Sequence, residues 1–235
     1  MAFETREKIL ISQMKTDYFT DESIDKKAEE MLREVEGYRK MRHINFSPND
    51  SSLLIVDMQE YFTNEKSHAF VPSIEPVVPR IKKLANAFFE NNLPVFSTRH
   101  INSKRNASLM SRWWGDLIEE KNQLSRITEE LKLQYAGVIR KSQYDAFFNT
   151  SLEQMLRKMK ATQLVITGVL SHLCCETTAR SAFVKGFEVF FPVDGTATYN
   201  EDFHKASLLN LSHGFAIPVL INELLERMDG DEYGD

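Results

Sequence analysis

Residues 164–189 read LVITGVLSHLCCETTARSAFVKGFEV. The run Leu164-Val165-Ile166-Thr167 is short, apolar and rich in β-branched residues, which predicts a buried strand. Cys174 to Lys185 follows after a short loop and reads as a helix. Glu188 to Val193 then reads as the next strand. Strand, helix and strand in that order form a βαβ unit with parallel strands. A continuous apolar strand, without period-two alternation, fits a sheet covered on both faces.

The same alternation extends in both directions. Upstream, Leu53-Leu54-Ile55-Val56 predicts a strand ending at Asp57, and the spacing of Ile81, Leu84, Ala85 and Phe88 predicts a helix. Pro94 to Thr98 and Gly137 to Arg140 predict further strands, and Leu152, Met155, Leu156 and Met159 share a helix face. Residues 101–123 are too long for a plain loop and are expected to contain some helix. Downstream, a helix from Glu201 to Ser212 precedes a strand at Ala216 to Leu220. The fold class is therefore α/β, a three-layer αβα sandwich of Rossmann-like type around a mainly parallel central sheet.

Residues 1–50 differ from the rest. Ile24, Ala28, Met31, Leu32, Val35 and Tyr38 recur at helical spacing between charged residues, with Asp21 as expected N-cap and Gly37 weakening the far end. We read 1–50 as an N-terminal helical extension packed on the body or on a neighbouring subunit, and 51–235 as the main domain. Residues 45–51, NFSPNDS, form the turn-rich joint. The tail DGDEYGD, 229–235, reads as solvated and disordered.

Bulk properties narrow the function. A net charge of −5, with no long Lys/Arg tract, argues against a nucleic-acid partner. No apolar run approaches the roughly 20 residues that span a bilayer, so no membrane partner is expected. The opening MAFETREKIL has no apolar h-region and predicts no secretory signal. The two cysteines are adjacent, so a disulfide between them would close no useful loop. Reduced thiols fit a cytoplasmic location.

In doubly wound sheets chemistry gathers beyond the carboxyl ends of the strands. Three reactive groups fall there: Asp57, Lys141 and Cys174. A thiol at a helix N-terminus beside an ammonium is expected to favour thiolate. An Asp can accept the thiol proton and return it to a leaving group. The first N–H groups of the helix can receive an oxyanion. The competing bland readings are a buried cysteine, a capping aspartate and a solvated lysine.

Three segments carry a resemblance: LLIVDMQEYF (53–62), VIRKSQYDAFFNTSLEQML (138–156) and the 164–189 stretch. Together they resemble the signature regions of isochorismatase-like cysteine hydrolases, over roughly residues 51–225. The resemblance implies a catalytic triad of Asp57, Lys141 and Cys174. Gln59 and Phe62 match positions near the pocket, and Gly168, Val169, Thr178, Ala179 and Arg180 fall into the family pattern. It further implies a cis peptide joining Val169 to Leu170, with the Leu170 and Cys174 N–H groups forming the oxyanion site. Substrate contacts are expected from Gln59, Phe62, Trp113, Trp114, Tyr144 and His172. The implied function is hydrolysis of a C–N amide or ureide bond of a small molecule by a homodimer or homotetramer, without a cofactor.

Two departures matter. Nicotinamidases of this group carry an Asp-x-His metal cluster after the second strand, whereas Ser97 to Asn102 offer a single His100. No metal is expected, and nicotinamide is not the expected substrate. True isochorismatases are similar around SHLCCETTA, but typically lack a cysteine at the position of Cys174. They also tend to carry Trp-Arg-Tyr where this chain has Ser142-Gln143-Tyr144. An isochorismatase-type vinyl-ether hydrolase using Asp57 alone, and a catalytically idle oligomeric binding subunit, are the alternatives.

Overall fold

The computed structural model describes residues 14–230. The opening residues read for a secretory signal lie outside them, as does most of the acidic tail. Seven strands form one sheet: β1 (Ser51–Val56), β2 (Val95–His100), β3 (Gly137–Lys141), β4 (Gln163–Val169), β5 (Glu188–Pro192), β6 (Thr196–Ala197) and β7 (Ile217–Val219). Their order is β3-β2-β1-β4-β5-β7, with β6 paired to β4, and every pairing is parallel.

The helices are α1 (Ile24–Lys40), α2 (Glu60–Thr63), α3 (Val77–Glu90), α4 (Met110–Trp113), α5 (Leu152–Lys158), α6 (Glu176–Val184), α7 (Glu201–Gly214) and α8 (Ile221–Asp229). The β1-α3-β2 and β4-α6-β5 crossovers run in opposite directions across the sheet. Right-handed connections therefore place α3 and α6 on opposite faces, which makes the three layers. Strands β1 and β4 are buried along their whole length, as their uninterrupted apolar runs require.

The chain order reverses at β1, which sits between β2 and β4. The crevice beyond the carboxyl end of β1 is the topological switch point, and Asp57 stands at it. Gly168 closes the approach there: its φ is +106°, and a Cβ at that position would collide with the Val56 carbonyl. Only glycine lets β4 pass so near the end of β1.

Helix α1 buries Ile24, Ala28, Met31, Leu32 and Val35, while Tyr38 stays on the surface. The stripe packs on α7 and β7 of its own chain. Ion pairs Lys27–Glu201 (2.6 Å), Arg39–Glu223 (2.6 Å) and Lys205–Glu34 (2.7 Å) rim the contact. The stripe is covered within the chain, so the expectation of assembly through it loses its ground. The expected cap also shifts: Ser23 occupies the N-cap without a side-chain capping bond to the helix, and the helix runs through Gly37.

Candidate active site

Asp57 follows β1 with φ of 49°, a left-handed conformation that aspartate tolerates better than branched residues. Thr98 on the neighbouring β2 holds it twice. Thr98 Oγ1 accepts from the Asp57 N–H at 2.9 Å and donates to Asp57 Oδ1 at 2.5 Å. Asp57 Oδ2 is left facing Lys141, whose Nζ stands 2.6 Å away at the end of β3. Both side chains are fully buried.

Lys141 Nζ also donates to Cys174 Sγ at 3.2 Å and to the Gln143 carbonyl at 3.0 Å, and lies 3.3 Å from His100 Nδ1. The three predicted reactive groups thus meet at one point. Cys174 lies in a wide π turn, Ser171–Cys175, ahead of α6. The peptide between Val169 and Leu170 is cis.

The electrostatics differ from expectation at the thiol. Burial, reinforced by the negative Asp57 carboxylate, pushes Cys174 up to about 12 against the opposing pull of the Lys141 ammonium. That balance favours a resting thiol over the thiolate expected from a helix N-terminus. The α-helical turn begins only at Glu176, after the π turn, which weakens the dipole at Cys174. Burial alone would lower Lys141, but Asp57 and Cys174 outweigh it and raise it above its ordinary value. His100 is held down to about 4, first by burial and then by the Lys141 charge.

Donor atoms of Asp57, His100 and Cys174 lie within 4.8 Å of one another, a spacing that could hold a cation. The Lys141 ammonium already reaches all three. His100 has its other nitrogen bonded to Asn102 Oδ1 at 2.8 Å. This donor set does not fit a metal ion while Lys141 stands among it.

A cavity of about 150 Å³ opens above Cys174 and His100. Phe62, Trp113, Trp114 and Tyr144 all line it, as expected, together with Leu173 and Tyr199. Trp114 Nε1 donates to the Tyr144 hydroxyl at 2.6 Å, fixing two of these walls to each other. Among the described residues the lining includes no Arg or Lys side chain, and Asp116 is its one carboxylate. Tyr61 donates to Asp116 Oδ2 at 2.8 Å and lies 3.2 Å from His68 Nε2. A larger groove of about 720 Å³ lies between α1, β7 and α8, but it carries none of the reactive groups.

Two expected substrate contacts are not part of the lining. Gln59 is fully buried; its amide donates to the Ser125 and His100 carbonyls (2.7 and 3.2 Å) and accepts from the His100 N–H at 2.6 Å. It ties the end of β1 to the end of β2 instead of meeting a ligand. His172 turns to Thr198 Oγ1 at 2.5 Å and stacks on Phe203, 4.3 Å between centroids. Sequence reading passed over Thr98, Tyr61 and Tyr199, and considered His100 only as a metal ligand that it did not expect. A polar signal was present for two of them, since Thr98 and His100 fall in the polar second half of β2, whose sequence is VFSTRH.

The isochorismatase domain model matches residues 51–223. Nicotinamidase 3 of Arabidopsis thaliana is 35% identical over 200 residues, covering 82% of this chain and 97% of that protein. Enterobactin synthase component B of Escherichia coli K12 is 32% identical over 183 residues, 77% of this chain, which spans 64% of that protein's length. Among solved structures, a cysteine hydrolase from Pseudomonas syringae pv. phaseolicola 1448A superposes with a TM-score of 0.77 at 22% identity, covering 81% of this chain and 97% of that one.

Proposed function

The chain belongs to the isochorismatase family of hydrolases, and on that premise we propose that it cleaves a C–N bond of a small amide or ureide through a Cys174 thioester. The observation that carries this is the meeting of Cys174 Sγ, Lys141 Nζ and Asp57 beneath an aromatic-walled cavity. The catalytic groups are Asp57, Lys141 and Cys174.

As Cys174 Sγ attacks the substrate carbonyl, its proton passes to Asp57. The buried cluster carries one negative and one positive charge before the transfer and the same after it. Moving the proton therefore adds no net charge to a site that could not solvate it. The carbonyl oxygen becomes an oxyanion facing the Leu170 and Cys174 N–H groups. Collapse breaks the C–N bond, and Asp57 gives its proton to the departing nitrogen. Water then loses a proton to Asp57 as it attacks the thioester. Cys174 leaves as thiolate and recovers that proton. One water is consumed, and an acid and an amine are released.

The cavity also supports a substrate class. Without an Arg or Lys in the lining, a substrate carboxylate has no bidentate or ionic partner, and Asp116 opposes it. Neutral or cationic amides with a flat apolar portion fit the aromatic walls. This weighs against isochorismate, which is anionic, and the name of the Arabidopsis relative returns nicotinamide to the candidates. The working setting is the cytoplasm, where Cys174 and Cys175 stay reduced.

The test is a panel of small amides, ureides, nicotinamide and isochorismate, run with wild type and Cys174→Ala. Ammonia release from a neutral amide, lost by about a thousandfold or more in the variant, is the expected result. Turnover of isochorismate alone, retained by Cys174→Ala, would overturn covalent catalysis and leave Asp57 as the sole acid.

A further inference from the structure

The chain before α1 crosses the rim of the cavity, outside the 51–223 stretch that carries the family pattern. Lys15 Nζ donates to the His68 carbonyl at 2.7 Å and the Phe70 carbonyl at 2.8 Å. The same ammonium stands 4.5 Å from the centroid of the Tyr199 ring. His68, Ala69 and Tyr199 line the cavity, and they come from segments about 130 residues apart, one after α2 and one after β6. A single side chain therefore grips both walls.

The backbone around Lys15 is anchored to the same two walls. Thr16 N–H donates to the Tyr199 carbonyl at 2.8 Å, and Asn200 Nδ2 donates to the Met14 carbonyl at 3.0 Å. Tyr18 and Phe19 N–H groups both donate to Ser73 Oγ, at 2.8 and 3.0 Å. The Tyr18 hydroxyl accepts from the Thr198 N–H at 3.0 Å and reaches His204 Nδ1 at 2.9 Å. These bonds fix where Lys15 starts, so its reach to the two carbonyls is set by the fold. The ammonium is half-buried, and its interactions there are carbonyl dipoles and a ring face, so the cation both pulls the His68–Phe70 turn inward and holds Tyr199 over it.

We propose that Lys15 is a positioning residue of the active site, setting the separation between the His68–Phe70 turn and Tyr199 and so the fit of the substrate. The proposal rests on this cavity being the substrate site. It assigns the described residues ahead of α1, from 14 onward, a part in substrate binding, although none of them bonds to the reacting groups.

The experiment compares the full-length wild type with Lys15→Met, which keeps the apolar stem, and Lys15→Arg, which keeps the charge. The expected result is KM raised about tenfold in Lys15→Met with kcat within about threefold, and recovery of most of that KM in Lys15→Arg. Hydrogen exchange of the free proteins provides a readout that needs no substrate. In Lys15→Met, amides of residues 64–71 and 196–200 are expected to exchange faster while β1 and β4 keep wild-type protection. Unchanged exchange in those two segments would overturn the proposal even if no amide is ever turned over. So would equal loss in Lys15→Met and Lys15→Arg, or a fall in kcat that tracks a global loss of protection. If the panel finds no amide substrate but exchange rises as stated, the clamp stands and the cavity's use is what has failed.

Discussion

His100 turns its Nδ1 toward the Lys141 ammonium at 3.3 Å and its Nε2 toward Asn102 Oδ1 at 2.8 Å. Those two contacts fix the tautomer. An N–H at Nδ1 would point at the ammonium, so the single proton sits on Nε2 and is donated to Asn102. Burial first, and then the positive charge that a second N–H would face, hold the group down to about 4. Nitrogen NMR of histidine-labelled protein is expected to show His100 as the Nε2–H tautomer with no titration between about pH 5 and about 9. A midpoint near the ordinary histidine value would mean that the Lys141 charge does not face His100.

The same burial makes a prediction about Cys174. Its thiol is pushed up to about 12, by desolvation first and then by Asp57. The ultraviolet absorbance of thiolate, taken as wild type minus Cys174→Ser, is expected to show no step between about pH 6 and about 10. A free cysteine would show one near about 8.5. A step near neutrality would mean a standing thiolate and would remove Asp57 as the acceptor of the first proton.

Thr98 both donates to and accepts from Asp57. Thr98→Val keeps the shape and removes both bonds. The freed Asp57 carboxylate can then rotate away from the thiol proton, so kcat is expected to fall by about ten- to a hundredfold. The buried Asp57 N–H loses its acceptor as well, at a cost of about 1–3 kcal/mol in urea unfolding. Thr98→Ser, which keeps the hydroxyl, is expected to recover most of both losses. An unchanged kcat in Thr98→Val would show that Lys141 alone holds Asp57 in place.

Much of this site was readable from the chain because strand ends are readable. Asp57 ends an apolar run, Lys141 ends the short strand that begins at Gly137, and Cys174 follows an apolar run after a short loop, so the parallel sheet had to bring their neighbourhoods together. What escaped depends on side-chain direction. Gln59 looks in sequence like a pocket residue beside Asp57, but its amide is consumed by the backbone of His100 and Ser125. His172 lies within a π turn instead of an α turn, and its ring lies over Phe203. Strand β6 has only two residues and leaves no periodicity to detect. Lys15 was invisible as a site neighbour because nothing local marks a contact with residues 53 and 55 positions away.

The buried His204 links the segment ahead of α1 to stability in acid. Tyr18 accepts from the Thr198 N–H and therefore donates its own proton to His204 Nδ1; the His204 proton sits on Nε2, facing Thr196 Oγ1 at 3.1 Å. Burial holds this histidine neutral, with its value lowered to about 3. Between that value and the ordinary 6.5, the unfolded chain binds a proton that the folded chain refuses. Its contribution is thus intact above about pH 6.5 and is lost as pH falls toward about 3. His204→Gln removes that proton uptake but forfeits part of the hydrogen-bonded network, so the variant is less stable at about pH 7.5 by about 1–3 kcal/mol. On going to about pH 4.5 the wild type is expected to lose about 2–3 kcal/mol more than the variant. Urea unfolding at the two pH values measures this difference directly. Parallel losses in both proteins would place the acid sensitivity in other groups and leave His204 protonated in the fold.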